Sequence, residues 1–391
     1  MQVAQMHLFD NNEEFDLTDD QLQVRASVLQ LLREKLPPWK VAELDDKSEF
    51  PFDAYAALAE AGWLGLPHDE QYGGAGGSYM DLAVLIEAIA YHNAQMASAY
   101  LTTVVYGGMH LKFGASEQLR ASMLPQLIAG KLKLAFCLTE PDTGSDASSI
   151  RTKAVAKGDD WIIDGQKVYI TCAHVAGYLV VATKTDPEAR HKGMTLFLVD
   201  AKAKGVTIRP LRGLGRRMIH TNEVFFDGVK VPATHVLGGV NGGWKNIMRG
   251  LNVERLLLSA AASGNCYRIL ESAIDFARRR KQFGKPITEY QAISHKISDI
   301  RSMAEISRVM TYRLASLMDR GVAPSTAAAV TKIFATESNS KCADTGIQIM
   351  GGAGLMMNSE MQMYFRDSRV GTIGGGTSEI LRNVIAKSML S

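Results

Sequence analysis

The apolar residues of this chain change their spacing twice, and this change limits the folds open to it. In "YMDLAVLIEAIAYHNAQMASAYLTTVVYGGMHLKF" they recur at helical intervals, whereas in "DDWIIDGQKVYIT" they alternate with polar residues as in a strand. Helical spacing returns from "GGWKNIMRGLNVERLLL" onward. We therefore predict an α+β multidomain protein, with an all-α domain at residues 1–130, a β-sandwich or barrel at 131–240 and a helical domain at 241–391.

Two local signals refine this prediction. Thr18 stands directly before the first helical pattern, "DDQLQVRASVLQLLREKL", and is a suitable N-cap residue. In the middle region, Asp164-Gly165 lies between two alternating runs, which predicts a hairpin turn at that pair.

Length, charge and cysteine spacing exclude several classes of protein. A chain of 391 residues is too long for a single domain with one hydrophobic core. Its formal net charge of +2 is too small to indicate binding to nucleic acid or an anionic membrane. The four cysteines are widely spaced and form no CxxC, so free thiols are expected. No apolar run is long enough to span a bilayer, and the acidic start "MQVAQMHLFDNNEEFDLTDD" is unlike a presequence. We expect a cytoplasmic protein with no nucleic-acid or membrane partner.

Several common catalytic signatures are absent from the sequence. It contains no GxGxxG, no GxxxxGK[ST] and no GxSxG, and no two of its nine histidines are four residues apart. Dinucleotide-fold dehydrogenases, NTPases, α/β-hydrolases and helical zinc sites therefore lack their usual support.

Four short segments can carry chemistry, although each also has an ordinary structural explanation. "TEPDTGSD", within residues 135–150, is either a surface turn or a loop that presents hydroxyl and N–H groups. "ARRRKQFGKPI", at 277–287, is either a solvated charge run or a platform for phosphate and a flat heterocycle. "GIQIMGGAG", at 346–354, is a helix stop or a close backbone approach to a ligand. "TIGGGTSEI", at 372–380, is a hinge or a site without an obvious reactive group.

Together with "GQKVYIT", these segments follow the order, spacing and domain setting of the acyl-CoA dehydrogenases, which the chain resembles over nearly its whole length. The resemblance implies an N-terminal helical domain, a middle β domain and a C-terminal four-helix bundle. It also implies FAD as cofactor, an acyl-CoA substrate, a homotetramer built as a dimer of dimers, and electron transfer to an electron-transfer flavoprotein.

The resemblance assigns cofactor contacts to individual positions of this sequence. Those expected at the flavin ring are Phe136, Leu138, Thr139, Ser145, Tyr169 and Thr171, with Thr171 near N5 and Ser145 also near the pantetheine arm. Many members have Trp where this chain has Tyr169. Those expected to bind the ADP half, from a neighbouring subunit, are Arg280, Phe283, Gln291, Gln348, Gly351 and Gly352. Thr377 and Glu379 are expected to hold FAD from the C-terminal side.

In the family's reaction, a base removes the α-proton of the substrate while the β-hydride is transferred to flavin N5. In many members this base is a Glu in the last motif. This chain has Gly375 at that position. The resemblance to isovaleryl-CoA and long-chain-type members places the base instead at Glu254, in "GLNVERLLL". No residue three or four positions from Glu254 can pair with it. From the residues alone, Glu254 either pairs with a distant Arg of the bundle or lies on an apolar face, which would raise its pKa toward the working pH of a base.

The remaining expected substrate contacts surround this base. Asn252 replaces the Asp that the family usually has, and Arg255 follows Glu254 as in the family. Gly375 and Gly376 are expected to bind the substrate, with the Gly375 N–H stabilising the thioester carbonyl as charge develops.

Three functional hypotheses follow. The first is an FAD-dependent dehydrogenase that forms a trans-2-enoyl-CoA. The second keeps the fold but runs as an enoyl-CoA reductase, similar to those of carnitine metabolism, or as a flavin oxidase or monooxygenase. The third is a non-enzymatic relative or helical scaffold, which predicts a colourless protein that no acyl-CoA reduces.

Overall fold

The computed structural model describes Phe9, residues 17–322 and residues 324–390. Residues 1–8 and 10–16 of the acidic start, on which the expectation of no targeting segment rests, lie outside the described residues. The chain forms two compact units. The first comprises the described parts of 1–42, 78–97 and 255–391, and the second comprises 43–77 and 98–254.

Helices occupy both ends of the chain and strands its middle, which confirms the predicted α+β order. The α-helices are α1 Asp19–Lys35, α2 Pro38–Lys47, α3 Phe52–Glu60, α4 Tyr79–His92, α5 Ala94–Tyr100, α6 Gly107–Gly114, α7 Glu117–Ile128, α8 Gly243–Arg279, α9 Gln291–Asp319, α10 Ser325–Met350, α11 Glu360–Ser368 and α12 Ser378–Leu390. The strands are β1 Leu134–Cys137, β2 Lys153–Lys157, β3 Asp160–Thr171, β4 Tyr178–Lys184, β5 Met194–Asp200, β6 Val206–Leu211, β7 Thr221–Pro232, β8 Val236–Leu237, β9 Lys281–Gln282 and β10 Lys285–Pro286.

Helix α1 begins where the sequence predicts. The Thr18 side chain accepts from the backbone N–H of Gln21, and the Gln21 side chain accepts from the backbone N–H of Thr18, so the two form a capping box. Val28, Leu29 and Leu32 on the same face of the helix are buried, because their spacing brings them to one side.

The strands of the second unit form a sheet in the order β6-β7-β3-β2-β4-β5-β8, with β1 parallel to β4. One residue pair, Lys153 with Lys184, joins β2 to β4. The two halves on either side of this pair share a buried apolar cluster that includes Ile163, Phe197 and Phe226. The arrangement agrees with the predicted β-sandwich, because side chains from both halves fill one core.

Strands β4 and β5 are buried on both faces. Leu179 and Val181 point into the core between the halves, whereas Val180 and Ala182 pack with helical residues such as Leu127 in a second cluster. This explains why "GYLVVATKT" is almost continuously apolar, since strands covered on both sides do not alternate.

The hairpin predicted at Asp164-Gly165 is wrong. Strand β3 continues through this pair, with a register shift against β7 between Ile163 and Gly165. Gly165 is needed because a Cβ there would lie 2.5 Å from the Thr152 hydroxyl oxygen. The neighbouring Asp164 carboxylate accepts a hydrogen bond from the Gly228 N–H at 2.8 Å. A close approach by a neighbouring segment, and not a turn, accounts for the glycine.

The first unit contains a fully buried ion-pair network around Glu87 of α4. The Glu87 carboxylate accepts from Arg308 Nε at 3.0 Å, from the Tyr312 hydroxyl at 2.6 Å and from the Ser263 hydroxyl at 2.6 Å. Arg25 of α1 lies 3.8 Å from the same carboxylate. Burial opposes the carboxylate charge, but Arg308 and Arg25 together hold the pKa of Glu87 below its usual value.

In the second unit, a π-helical segment at Leu101–Tyr106 connects α5 to α6 without a break. Hydrogen bonds that span five residues instead of four widen the helix here and alter the direction of the side chains that follow. Tyr106, the last residue of the segment, faces the site described next.

Candidate active site

A small pocket in the second unit lies between the helical stretch 105–110, strand β1 and the first turns of α8. Its lining is mostly apolar and includes one carboxylate, one phenol and one imidazole. The lining residues are Val105, Tyr106, Met109, His110, Phe136, Ile247, Gly250, Leu251 and Glu254. An apolar pocket with a few convergent polar groups is the usual form of a small-molecule site.

Glu254 is hydrogen-bonded to the phenol of Tyr106 inside this pocket. Burial raises the pKa of Tyr106 well above its usual value, and the nearby carboxylate raises it further, while the charge of Arg216 opposes the shift. The phenol therefore keeps its proton and donates it to the hydrogen bond with Glu254. The predicted base is thus a half-buried carboxylate that accepts a hydrogen bond from a neutral phenol.

His110 lies one turn further along the same helix face. Its ring is 4.5 Å from that of Phe136, and its Nδ1 is 3.3 Å from Asn246 Oδ1. Burial lowers the pKa of His110 to about 4, so the imidazole is neutral at pH 7.

The structure brings several predicted flavin contacts together on the second unit. Thr139 follows β1, and its carbonyl accepts from the Val168 N–H at 2.9 Å, so the end of β1 lies beside the end of β3. Tyr169, at the β3 register shift, has φ +60° and is 66% exposed, and Thr171 ends the strand. This edge offers an accessible aromatic ring and hydroxyl groups close to the end of β1.

A buried ion pair fixes the loop that carries Ser145. Lys167 Nζ donates to Glu140 at 2.8 Å and to the Leu138 carbonyl at 3.0 Å, while the Glu140 carboxylate also accepts from the N–H groups of Arg151 and Thr152. Burial disfavours the carboxylate charge, but these donors hold the pKa of Glu140 below its usual value. Ser145 is exposed on this loop.

The predicted ADP contacts lie at two places on the first unit. Arg280, Phe283 and Gln291 surround the β9–β10 hairpin, and all three are exposed, Phe283 to 93%. Gln348 is exposed on the last turn of α10, and a Cβ on Gly351 or Gly352 would meet nothing within 4 Å. No hydrogen bond or ion pair among the described residues links the two groups.

The glycine triplet near the C-terminus is a bent segment held by two cations. Gly375 has φ +65° and Gly376 has φ +92°, backbone conformations that glycine adopts more readily than residues with a Cβ. Their carbonyls accept from Arg255 Nε at 3.5 Å and from Lys332 Nζ at 2.8 Å. The segment is therefore a fixed bend and not a free hinge.

Thr377 and Glu379 begin the helix that follows the bend. The Thr377 hydroxyl accepts from the Ile380 N–H at 3.2 Å. Backbone and Thr377 hydrogen bonds lower the pKa of the exposed Glu379 carboxyl, so it is charged at neutral pH. Both residues stand at the start of α12, where a ligand oxygen can meet backbone donors.

The comparison with protein families decides what this arrangement is. Residues 18–131 match the N-terminal domain model of the acyl-CoA dehydrogenases, residues 135–229 the middle domain and residues 241–390 the C-terminal domain. The chain belongs to the acyl-CoA dehydrogenase family.

Relatives within this family differ in what their names say they do. The chain is 34% identical to an acyl-CoA dehydrogenase of Bacillus subtilis, over 96% of this chain and 99% of the relative. It is 35% identical to the caffeyl-CoA reductase–Etf complex subunit CarC of Acetobacterium woodii, over 89% and 92% respectively. Butyryl-CoA dehydrogenase from Megasphaera elsdenii superposes with a TM-score of 0.93 at 29% identity, covering 97% of this chain and 100% of that one.

Acyl-CoA dehydrogenases are FAD-dependent, and the residues of this chain fit that cofactor. Tyr169 and Phe283 offer exposed aromatic faces. Gly351 and Gly352 leave open space for the close approach of a ligand. The described residues contain no cluster of His, Cys, Asp and Glu suited to a metal ion.

Sequence reasoning missed three groups that the structure places beside predicted site residues. Tyr106 and His110 lie in no motif, and their four-residue spacing within "VVYGGMHL" was the only available signal. Lys332, fully buried in α10, looks like a solvated lysine in the sequence. Asn252 is half-buried in α8 and is not among the residues that line the pocket.

Proposed function

We propose that the protein dehydrogenates an acyl-CoA thioester to the trans-2-enoyl-CoA, with Glu254 as the base. The observation that carries this proposal is the half-buried Glu254 carboxylate in an apolar pocket, hydrogen-bonded to Tyr106. Glu254 would take the α-proton and hold it on a carboxylate oxygen. The chemistry that FAD supplies when bound is acceptance of two electrons and the β-hydrogen of the substrate.

The other residues of the site would bind and orient the thioester. We propose that the Gly375 N–H donates to the thioester carbonyl and stabilises the charge that develops there, with Gly376 beside it. Arg255 contacts the Gly375 carbonyl, so its proposed role is to hold this bend. Asn252 and Ser145 are proposed to contact the pantetheine arm, without the charge that an Asp at position 252 would add.

The cofactor would be held by two sets of residues. The set around β1 and β3 comprises Phe136, Leu138, Thr139, Ser145, Tyr169 and Thr171. The set from the last third of the chain comprises Arg280, Phe283, Gln291, Gln348, Gly351, Gly352, Thr377 and Glu379. We propose that the stretch from Arg280 to Gly352 serves the FAD of a neighbouring subunit.

A homotetramer, built as a dimer of dimers, is part of the proposal. Phe283 is 93% exposed, and Leu355, Met356 and Met357 expose 61%, 54% and 55% of their surfaces. Large apolar side chains that are exposed together are typical of surfaces that another chain covers. The mass measured by light scattering, with and without FAD, tests this association.

The experiment that tests the function is anaerobic titration of the flavin with acyl-CoA thioesters. The proposal predicts bleaching of the flavin and reoxidation by an electron-transfer flavoprotein faster than by O₂. In Glu254→Gln, exchange of the substrate α-proton should fall by at least ~10²-fold, since a positioned base contributes about that much. A Glu34→Gln variant, altered at an exposed helix position, serves as control. Unchanged α-proton exchange in Glu254→Gln would remove the base assignment.

An enoyl-CoA reductase is the second candidate, because a relative named as a reductase is as similar to this chain as relatives named as dehydrogenases. The same base, in its protonated form, would return a proton to the α-carbon. The two directions are distinguished by adding acyl-CoA to the oxidised protein and enoyl-CoA to the reduced protein, and by comparing the rates of flavin reduction and reoxidation.

The last two parts of the proposal concern the location of the protein and its domain boundaries. No helix of the described residues is long and apolar enough to cross a membrane. A cytoplasmic location is proposed from the composition. The domain boundaries at 130/131 and 240/241 are likewise proposed, and limited proteolysis at those positions tests them.

A further inference from the structure

Two helical segments face each other across the pocket in register. Tyr106 and His110 are four residues apart on one segment, and Glu254 and Gly250 are four apart on α8. Tyr106 meets Glu254, while His110 meets Gly250. Four residues of α-helix rise about 6 Å, so His110 stands roughly one turn from the proposed base.

Gly250 leaves a gap that exposes the His110 ring to the pocket. A Cβ at Gly250 would lie 3.5 Å from His110 Cε1 and 3.9 Å from Nε2. These distances are ordinary van der Waals contacts, so a methyl group would fit and would cover Nε2. Glycine at this helical position therefore leaves the Nε2 edge open to whatever occupies the pocket.

Asn246 decides which nitrogen of His110 carries the proton. The Asn246 amide Nδ2 donates to the His110 carbonyl at 3.4 Å, which turns Oδ1 toward Nδ1 at 3.3 Å. An amide oxygen only accepts, so Nδ1 must carry the hydrogen. Burial lowers the pKa of His110 to about 4, so the ring is neutral and Nε2 is an acceptor.

The Nε2 acceptor has no partner among the described residues, although His110 is only 4% exposed. The Nε2 edge is open toward the pocket beside Gly250, so a ligand that supplies a donor can hydrogen-bond to it there. The surrounding walls, Val105, Met109 and Leu251, offer no such group. The donor therefore comes from water when the pocket holds no ligand, and from the substrate when its acyl chain displaces that water.

We propose that His110 selects acyl groups that carry a hydrogen-bond donor, such as a hydroxyl, about one helical turn from the α-carbon. The inference rests on the proposed function, because Glu254 marks the reacting end of the pocket. It places the substrate among hydroxylated acyl thioesters, and it makes His110 a specificity-determining residue, with Asn246 as the residue that sets its tautomer.

Three isosteric thioesters test this preference, namely 5-hydroxyhexanoyl-CoA, 5-oxohexanoyl-CoA and 5-methylhexanoyl-CoA. They present a donor, an acceptor and a methyl group at the same position. Dissociation constants are measured by calorimetry on FAD-loaded Glu254→Gln, in which turnover is blocked, and flavin reduction is measured on the wild type. The hydroxyl compound should bind and react about tenfold or more better than the other two, since sites built for a substrate hydroxyl discriminate strongly.

Two variants confirm the source of the preference. His110→Leu removes the acceptor and should reverse the order between the hydroxyl and methyl compounds. Gly250→Ala covers Nε2 at a position where alanine favours the helix, and it should reduce the hydroxyl preference to less than about threefold. Equal binding of all three thioesters to the wild type, or an unchanged preference in Gly250→Ala, would overturn the inference. Absence of flavin reduction by every acyl-CoA would instead refute the proposed function, because the binding ratios are measured without turnover.

Discussion

The phenol of Tyr106 donates a hydrogen bond to the carboxyl group of Glu254 across the pocket. The two residues belong to segments almost 150 positions apart in the sequence, and nothing in either segment indicates the other. The contact links the proposed base to a π-helical segment, so the geometry of the reacting end depends on the path of that helix.

Tyr106→Phe should lower kcat/KM by roughly tenfold and shift the acidic limb of the pH–rate profile upward. The hydrogen bond favours the charged carboxylate, so its loss makes the base harder to ionise. Flavin reduction measured from pH 5 to 9 checks this. Tyr178→Phe, at a half-buried tyrosine outside the pocket lining, should leave the profile unchanged. A profile that does not move in Tyr106→Phe would show that the phenol does not support the base.

Gly375→Ala should destabilise the protein by about 1–2 kcal/mol, because φ is +65° there and an L-residue is strained in that conformation. Gly374→Ala is the matched control, since its Cβ would lie 3.7 Å from the nearest atom and its φ is not positive. Chemical denaturation of both variants measures the difference. A glutamate at position 375 would be strained in the same way, because it also has a Cβ. Equal stability of the two alanine variants would contradict this account.

Lys332→Met should loosen the glycine bend and weaken retention of FAD. Lys332 Nζ donates to the Gly376 carbonyl at 2.8 Å from a fully buried position, and its loss leaves that carbonyl without this donor. Flavin release during dialysis and proteolysis near residue 376 provide the measurements. Lys341→Met, on the exposed side of the same helix, should behave like the wild type. If both variants released flavin at the same rate, the contact between Lys332 and the Gly376 carbonyl would not contribute to FAD retention.

Glu87→Gln should lower the free energy of unfolding by about 3 kcal/mol at pH 7, because it removes the buried carboxylate charge that faces Arg308 and Arg25. The pKa of Glu87 is lowered in the folded state, so its contribution is present above the unfolded value of 4.5 and is lost as pH falls through the folded value. The difference between wild type and variant should therefore shrink below about pH 4.5. Denaturation at pH 7 and pH 4 checks this, and a gap that widens at pH 4 would contradict it.

The helix–sheet–helix order was predictable because the period of the apolar residues depends directly on which faces are buried. The assignment of Glu254 as the base stays a prediction, which rests on its apolar neighbours and the family resemblance. The hairpin at Asp164-Gly165 was misplaced because the approach of Thr152 requires glycine as strongly as a turn does. Tyr106, His110 and Lys332 were missed because each acts through a partner far along the chain. Spacing patterns carry no information on such pairs.

The π-helical segment at Leu101–Tyr106 also bears on how such a pocket can change during evolution. A π-helical turn holds one more residue than an α-helical turn, so deletion of one residue within the segment would convert it to ordinary α-helix and leave the helices on either side in register. Only the side chains of the segment itself, Tyr106 among them, would change direction. The length of this segment is therefore as heritable a determinant of the residue that faces the base as the identity of any side chain in it.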